Sequence, residues 1–262
     1  MSATKGKSSL LGFLSLSDAY ERKARFAPAL LSTAFLLPFA AAGGVPLGSW
    51  LVGLGAGAGL SAALAVGISH LASAMGNRFQ EKAWPRWPHD SPTNQRLLPG
   101  NMERSSQQKQ NWYAAMERLT NLNIPAAVAA GDKELEAVIN DAVSALRARL
   151  WNIKHGERLS IHNADYGFAR NFAGLSPIWG AFAILSCAGC WILYALFRVP
   201  IVWPLVATGL LVLAGLMRWV VLPQYGRQKA SHYAESFFAA LMALDRDTPA
   251  KTGRATRARK GE

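Results

Sequence analysis

Long apolar runs along this chain are separated by polar stretches with a helical repeat of their own. No Asp, Glu, Lys or Arg falls between Arg25 and Arg78, between Arg170 and Arg198, or between Arg198 and Arg218. A helix that crosses a bilayer needs about 20 mostly apolar residues at 1.5 Å rise each. The first gap holds two such helices and each of the others holds one. The pattern therefore predicts four transmembrane helices, at about Phe26 to Ala42, Trp50 to Met75, Phe172 to Phe197 and Ile201 to Leu222. "GGVPLGS" and "RVP" make the tight turns inside each pair. Pro28 falls in the first turn of the first span, where its missing N–H costs little. Pro38 is expected to kink the far end of that span, and Pro223 to stop the fourth helix.

Between and after the hairpins the apolar residues recur with the 3.6-residue period of amphipathic helices. "SSQQKQNWYAAMERLTNL" aligns Trp112, Met116, Leu119 and Leu122. "DKELEAVINDAVSALRARLWNI" aligns Leu135, Val138, Ile139, Ala142, Leu146 and Ile153. With "NIPAAVAAG" as the connection, the two are expected to form an antiparallel pair. "YGRQKASHYAESFFAALMAL" aligns Tyr233, Phe237, Leu241 and Leu244 in a third amphipathic helix. "WPRWPHDSPTNQRLLPG" is proline-rich and is expected to be irregular and extended.

The fold class that follows is an all-α membrane protein with a cytoplasmic helical domain. Residues 1–25 form an N-terminal segment with a short amphipathic helix over 8–20, and 26–76 the first hairpin. Residues 77–171 form the helical insert, 172–222 the second hairpin and 223–245 the amphipathic helix. Residues 246–262 are a basic tail whose composition is that of disorder. A signal peptide at "SLLGFLSLS" is disfavoured, because no small-x-small cleavage site precedes the first span.

Charge orients the hairpins. Arg22, Lys23 and Arg25 precede the first span, and Arg78, Lys82 and Arg86 follow the second. Arg170 precedes the third, and Arg218, Arg227 and Lys229 follow the fourth, whereas the tight turns carry only Arg198. Lys and Arg collect on the cytoplasmic side. Both termini and the insert are therefore expected there, multi-pass, with anionic lipid against that face. The net charge of +12 also suits a nucleotide ligand.

Candidate chemistry is sparse. "WLVGLGAGAGLSAALAVGISHLASAMG" is glycine-rich but lacks the Lys and Ser/Thr of a phosphate loop. Gly53 with Gly57 and Gly55 with Gly59 make GxxxG pairs, which bring helices close within one subunit or between subunits. His70 is the ionisable residue of this span. It either lies near the cytoplasmic interface, bonds a neighbouring helix, or lines a pore with Ser61 and Ser69. The spans hold no acidic residue, which argues against a carboxylate-coupled transporter. Cys187 and Cys190 sit mid-span and read as small apolar side chains. The histidines lack partners at metal-ligand spacing. No nucleophile, paired-carboxylate or cofactor motif gives a reason to read an enzyme. The stretch "IHNADYGFARNFAGLSPIW" gathers Asn163, Asp165, Tyr166, Arg170 and Asn171 with Gly167 and Gly174 just before the third span. It is either a brace at the membrane surface or a gating and ligand-contact element. Arg96, Arg170 and Arg227 are the candidate anion contacts.

Three stretches together carry a resemblance: "YERKARFAPALL" (20–31), "SPTNQRLLPG" (91–100) and "NADYGFARNFAGLSPI" (163–178). Over about residues 18–245 the chain resembles a family of bacterial four-span membrane proteins with a cytoplasmic helical insert. Its layout is also similar to the pore-forming effectors that accompany nucleotidyltransferases in anti-phage systems, the Hailong type among them. The resemblance implies a homo-oligomeric ion channel in the bacterial inner membrane, gated through its cytoplasmic domain by a nucleotide or nucleic-acid signal. It carries over no individual binding residue. The alternative expectation is a non-conducting anchor or scaffold whose cytoplasmic helices bind a soluble partner protein.

Overall fold

The structure, a computed structural model, describes residues 19–45, 58–150 and 156–248, and every regular element among them is helical. The predicted helix over 8–20, all but its last two residues, and the basic tail from 249 on lie outside the described residues, whereas Arg246 and Asp247, read as the start of that tail, are helical. So does the start of the second span. Three helices among those described are long and apolar enough to cross a membrane: Ala19–Ala42, Ser176–Phe197 and the apolar part of Val202–Asp247. The chain folds as two compact units, Met1–Trp87 with Ile161–Ala230, and Pro88–Ser160 with Ser231–Glu262. Residues 77–87 and 161–171, read from the sequence as ends of the insert, thus pack in the first unit.

The first unit is built from α1 (Ala19–Ala42), α2 (Ala58–Ala83), most of α7 (Glu157–Gly174), α8 (Ser176–Phe197) and the first part of α9 (Val202–Asp247). α1 begins seven residues earlier than expected, so Pro28 lies in its interior. A π-helical turn, Arg22–Phe26, comes just before it, and the N–H of Ala27 reaches back to the carbonyl of Arg22. The same device recurs in α9, where a π turn, Met217–Val221, precedes Leu222 and Pro223. Pro223 therefore does not stop the helix, as the sequence suggested, and α9 runs on for 46 residues. A proline crowds the carbonyl four residues back and offers it no N–H. A π turn shifts the hydrogen-bond register by one residue and lets the helix absorb that defect. Pro38 is met by a 3-10 turn, Ala34–Leu36.

α7 and α8 are nearly continuous, parted only at Leu175, so Phe172 belongs to α7 and not to the span. α8 turns into α9 through Arg198, which adopts left-handed geometry at φ 56° and closes the helix end on Tyr194. The residues of α8 that face inward are Trp179, Ala183, Ser186 and Cys190, at helical spacing and mostly small. Its large aliphatic residues face outward: Ile184, Leu185, Ile192 and Leu196 are more than half exposed. Phe168, Phe172, Trp179 and Phe35 stack in succession, with neighbouring ring centroids 5.3–5.8 Å apart.

The second unit has the opposite texture. It comprises α3 (Pro92–Gln95), α4 (Ser106–Thr120), α5 (Ile124–Ala130), α6 (Asp132–Leu150) and the C-terminal part of α9. Trp112, Met116 and Leu119 of α4 meet Leu135, Ile139 and Leu146 of α6 and Phe237 and Leu241 of α9, all buried. Trp112 stacks on Phe238 at 3.8 Å between centroids. The expected connection "NIPAAVAAG" is itself helical, because Asn123 caps α5 through Ala126 and Pro125 suits the first turn. Ser105 caps α4 in the same way, and Asn121 ends it at φ 59°. Residues 88–100 are not extended. They fold into turns around α3 and bury Ser91, Thr93, Asn94, Arg96 and Leu97. Lys109 fastens this segment by donating to the carbonyls of Leu98, Pro99 and Asn101. Burial pulls its ammonium below the usual lysine range.

Candidate functional site

The most densely bonded polar cluster in the first unit lies where α1, α2 and α7 meet. It begins with a backbone defect. In a regular helix the carbonyl of Ala24 would accept the N–H of residue 28, and Pro28 has none. Asn171 of α7 supplies the missing donor: its Nδ2 lies 2.7 Å from the Ala24 carbonyl, and the residue is fully buried. The Oδ1 of the same amide accepts from Arg170 Nε at 3.1 Å. Arg170 Nη1 donates to Gln80 Oε1 at 3.3 Å, and Tyr166 Oη donates to that oxygen at 2.9 Å. Trp84 packs edge-on against Tyr166, 6.3 Å between centroids.

Two glycines allow the helices to come this close. A Cβ on Gly76 would lie 2.0 Å from Asn171 Oδ1, and one on Gly174 would lie 2.5 Å from the carbonyl carbon of Met75. α2 and α7 therefore touch backbone to side chain and backbone to backbone. Next to Tyr166 in the chain, Asp165 pairs with Lys23 of α1 and with Lys229 of α9, the latter at 3.1 Å. Burial alone would push the Asp165 carboxyl up. The hydrogen bonds and charges of the two lysines outweigh it and hold the group below the ordinary value of 3.8.

Of the residues singled out from the sequence, Tyr166, Arg170 and Asn171 come together here. Asn163 is half-buried on α7, and Arg227 is exposed on α9, and neither is bonded to this cluster. Asp165, from the same stretch as Tyr166, joins the cluster, paired with Lys23 and Lys229, which the sequence marks only as charges at the span ends. Gln80 and Ala24 complete the cluster and were not singled out. Arg96 lies in the second unit, buried. It donates to Glu103 at 2.8 Å and to the carbonyl and hydroxyl of Ser231 at 3.2 and 2.7 Å. His70 is exposed on α2 and Ser69 half-buried. Ser61 and Gly59 lie in the first turns of α2, whose side chains are outside the described residues, as are Gly53, Gly55 and Gly57 altogether.

The cluster holds no nucleophile beside a base, and among the described residues no three His, Cys, Asp or Glu groups could hold a metal ion. Its hydrogen bonds instead fix where α1, α2 and α7 sit relative to one another. No protein-family model, curated protein or solved structure matches the chain.

Proposed function

We propose that the chain is a subunit of an oligomeric channel in a bacterial inner membrane, with four spans and both termini cytoplasmic. The observation that supports this most is the outward face of α2. Along the apolar stretches of α8 and α9 most of the exposed residues are large and apolar, which suits lipid, with a few Ala and Gly between them. Ahead of the charged Arg78, Glu81 and Lys82 in the last turns of α2, the exposed ones among its described residues are Gly67, His70, Ala74 and Asn77, at helical spacing, with Leu71 as the one large aliphatic among them. That row extends over about 15 Å of helix. Small and polar side chains are poor partners for lipid tails and good ones for water or another helix. α2 then faces the axis, with His70 and Ser69 toward the conduction path. The polar cluster anchors α2 at its cytoplasmic end through Gln80. The second unit receives the regulatory signal, a nucleotide or short nucleic acid in the reading that the resemblance supports. α9, whose residues belong to both units, transmits it.

Two measurements test this. Purified protein in liposomes is expected to pass ions when the channel is open. A cysteine at Ala74, in a chain with Cys187→Ala and Cys190→Ala, is expected to form cross-linked multimers. Tight liposomes under every condition together with a monomeric Ala74→Cys protein would remove the channel and leave the scaffold.

A further inference from the structure

In the second unit a groove of about 420 Å³ runs between α4 and α9, lined by Arg96, Arg104, Gln108, Trp112, Glu235, Phe238, Ala239 and Met242. Its two ends differ in chemistry. One is walled by Trp112, Phe238, Ala239 and Met242. At the other, Arg96 and Arg104 converge on a single oxygen of Glu235.

The quality of those contacts is informative. Arg96 is 7% exposed, and its guanidinium is held in place by Glu103 and Ser231 at 2.7–3.2 Å. Both arginines reach Glu235 only at 3.5 Å, the outer limit of a hydrogen bond. The Glu235 side chain is 51% exposed and the Arg104 side chain 41%. One cation is thus pre-positioned, a second is half-exposed and bonded otherwise only to the Glu103 carbonyl at 3.3 Å, and the carboxylate between them is held loosely. A charged group that sat between the two arginines at ordinary distances would bond better than Glu235 does. The volume is in the range of small-molecule sites, roughly 300–1,000 Å³.

We propose that this groove binds a small organic anion. Its charged group replaces the Glu235 carboxylate between Arg96 and Arg104, and its apolar body lies along Phe238, Ala239 and Met242. The site stands apart from the channel reading, because binding is measured without conduction.

The test is calorimetry on the full chain in nanodiscs of zwitterionic lipid, with 1-naphthyl phosphate as the probe and 1-naphthol and inorganic phosphate as its two halves. Naphthyl phosphate is expected to bind with one-to-one stoichiometry and tighter than either half. Glu235→Gln removes the competing charge and is expected to tighten binding by about tenfold, whereas Arg104→Gln weakens it by about tenfold. Opposite signs from two neighbouring substitutions are not the signature of damaged folding, and unchanged helicity checks the point. The proposal is overturned if neither the parent chain nor Glu235→Gln shows saturable binding. It is equally overturned if both variants shift affinity the same way, or if either half binds as tightly as the whole.

Discussion

The two units of this molecule are packed inside out relative to one another. In the second, Phe237, Leu146 and Met116 are buried at 0% exposure and charges line the surface. In the first, the inward positions of α8 hold Trp179 and then only small residues, Ala183, Ser186 and Cys190, while Leu196 and Phe197 are 70% exposed. The chemistry of the side chains is similar, and the solvent against which each unit folds is what differs. Water drives large apolar groups inward. A lipid-like surround gives no such drive, so close backbone contact and internal hydrogen bonds hold helices together. The glycine contacts at Gly76 and Gly174 and the Asn171 amide do in the first unit what the leucine and phenylalanine core does in the second.

Substitutions that treat both units alike are expected to part most sharply in the second unit's core. Phe237→Ala, at a fully buried position, is expected to cost about 3–5 kcal/mol and to unfold the second unit at a lower denaturant midpoint. Phe197→Ala, the same change in the first unit at a side chain 70% exposed, is expected to leave the melting temperature unchanged, because little of that side chain is buried in protein. Equal losses would mean that the exposed face of α8 is covered by something other than lipid.

A lysine scan reverses the comparison. Leu185, in the middle of α8 and 61% exposed, is a surface position by geometry alone. Leu185→Lys is expected to cost about 3 kcal/mol of membrane insertion, read as the glycosylated fraction in a translocation assay. Val128 of the second unit, 43% exposed, is expected to accept the same change within about 0.5 kcal/mol. If Leu185→Lys inserts as well as the parent chain, α8 does not face lipid.

Next in size are the contacts specific to the first unit. Asn171→Ala leaves the Ala24 carbonyl buried and unpaired and is expected to cost about 1–3 kcal/mol, seen as a lower melting temperature. Pro28→Ala restores the missing N–H. In the Asn171→Ala background it is therefore expected to return part of that loss, while adding less to the parent chain. Additive effects would mean that Asn171 and Pro28 are not linked through that carbonyl.

This pair also shows what was legible in the sequence and what was not. Gaps in charge located the long helices, and the 3.6-residue repeat located α4 and α6, because both signals are local. The stretch 161–179 stood out by its polar residues next to an apolar run, and four of them, Asp165, Tyr166, Arg170 and Asn171, do belong to the cluster. Which groups they meet was not legible. Gln80 and Ala24 are about 90 and 147 residues from their partners, and a backbone carbonyl has no letter in the sequence. Pro28 was the available clue, since a proline inside a helix always orphans the carbonyl four residues back. Pro223 misled for a related reason: the π turn that accommodates it depends on packing, so the residue read as a stop. The buried Ser91, Thr93 and Asn94 were read as an extended loop because polarity and proline content outweigh burial in a local reading.

The smallest expected effect concerns Asp165, which sits between the lysines of α1 and α9 and is the charged counterpart of the Asn171 contact. Its carboxyl is held below 3.8 in the folded chain, so the ionised form is the one the fold prefers. The stability it contributes is fully present above the unfolded value. It is lost as pH falls through the lower folded value, because protonation then releases both lysines. The melting temperature of the first unit is therefore expected to hold from neutral pH down to about pH 5 and to fall below that. Lys23 is 52% exposed, so the pair contributes at most about 1 kcal/mol, and added salt weakens it. Asp165→Asn is expected to show that loss already at pH 7 and a flatter descent toward pH 3. A variant that melts like the parent chain at both ends of that range would show that hydrogen bonding and glycine contact hold α7 in place without help from charge.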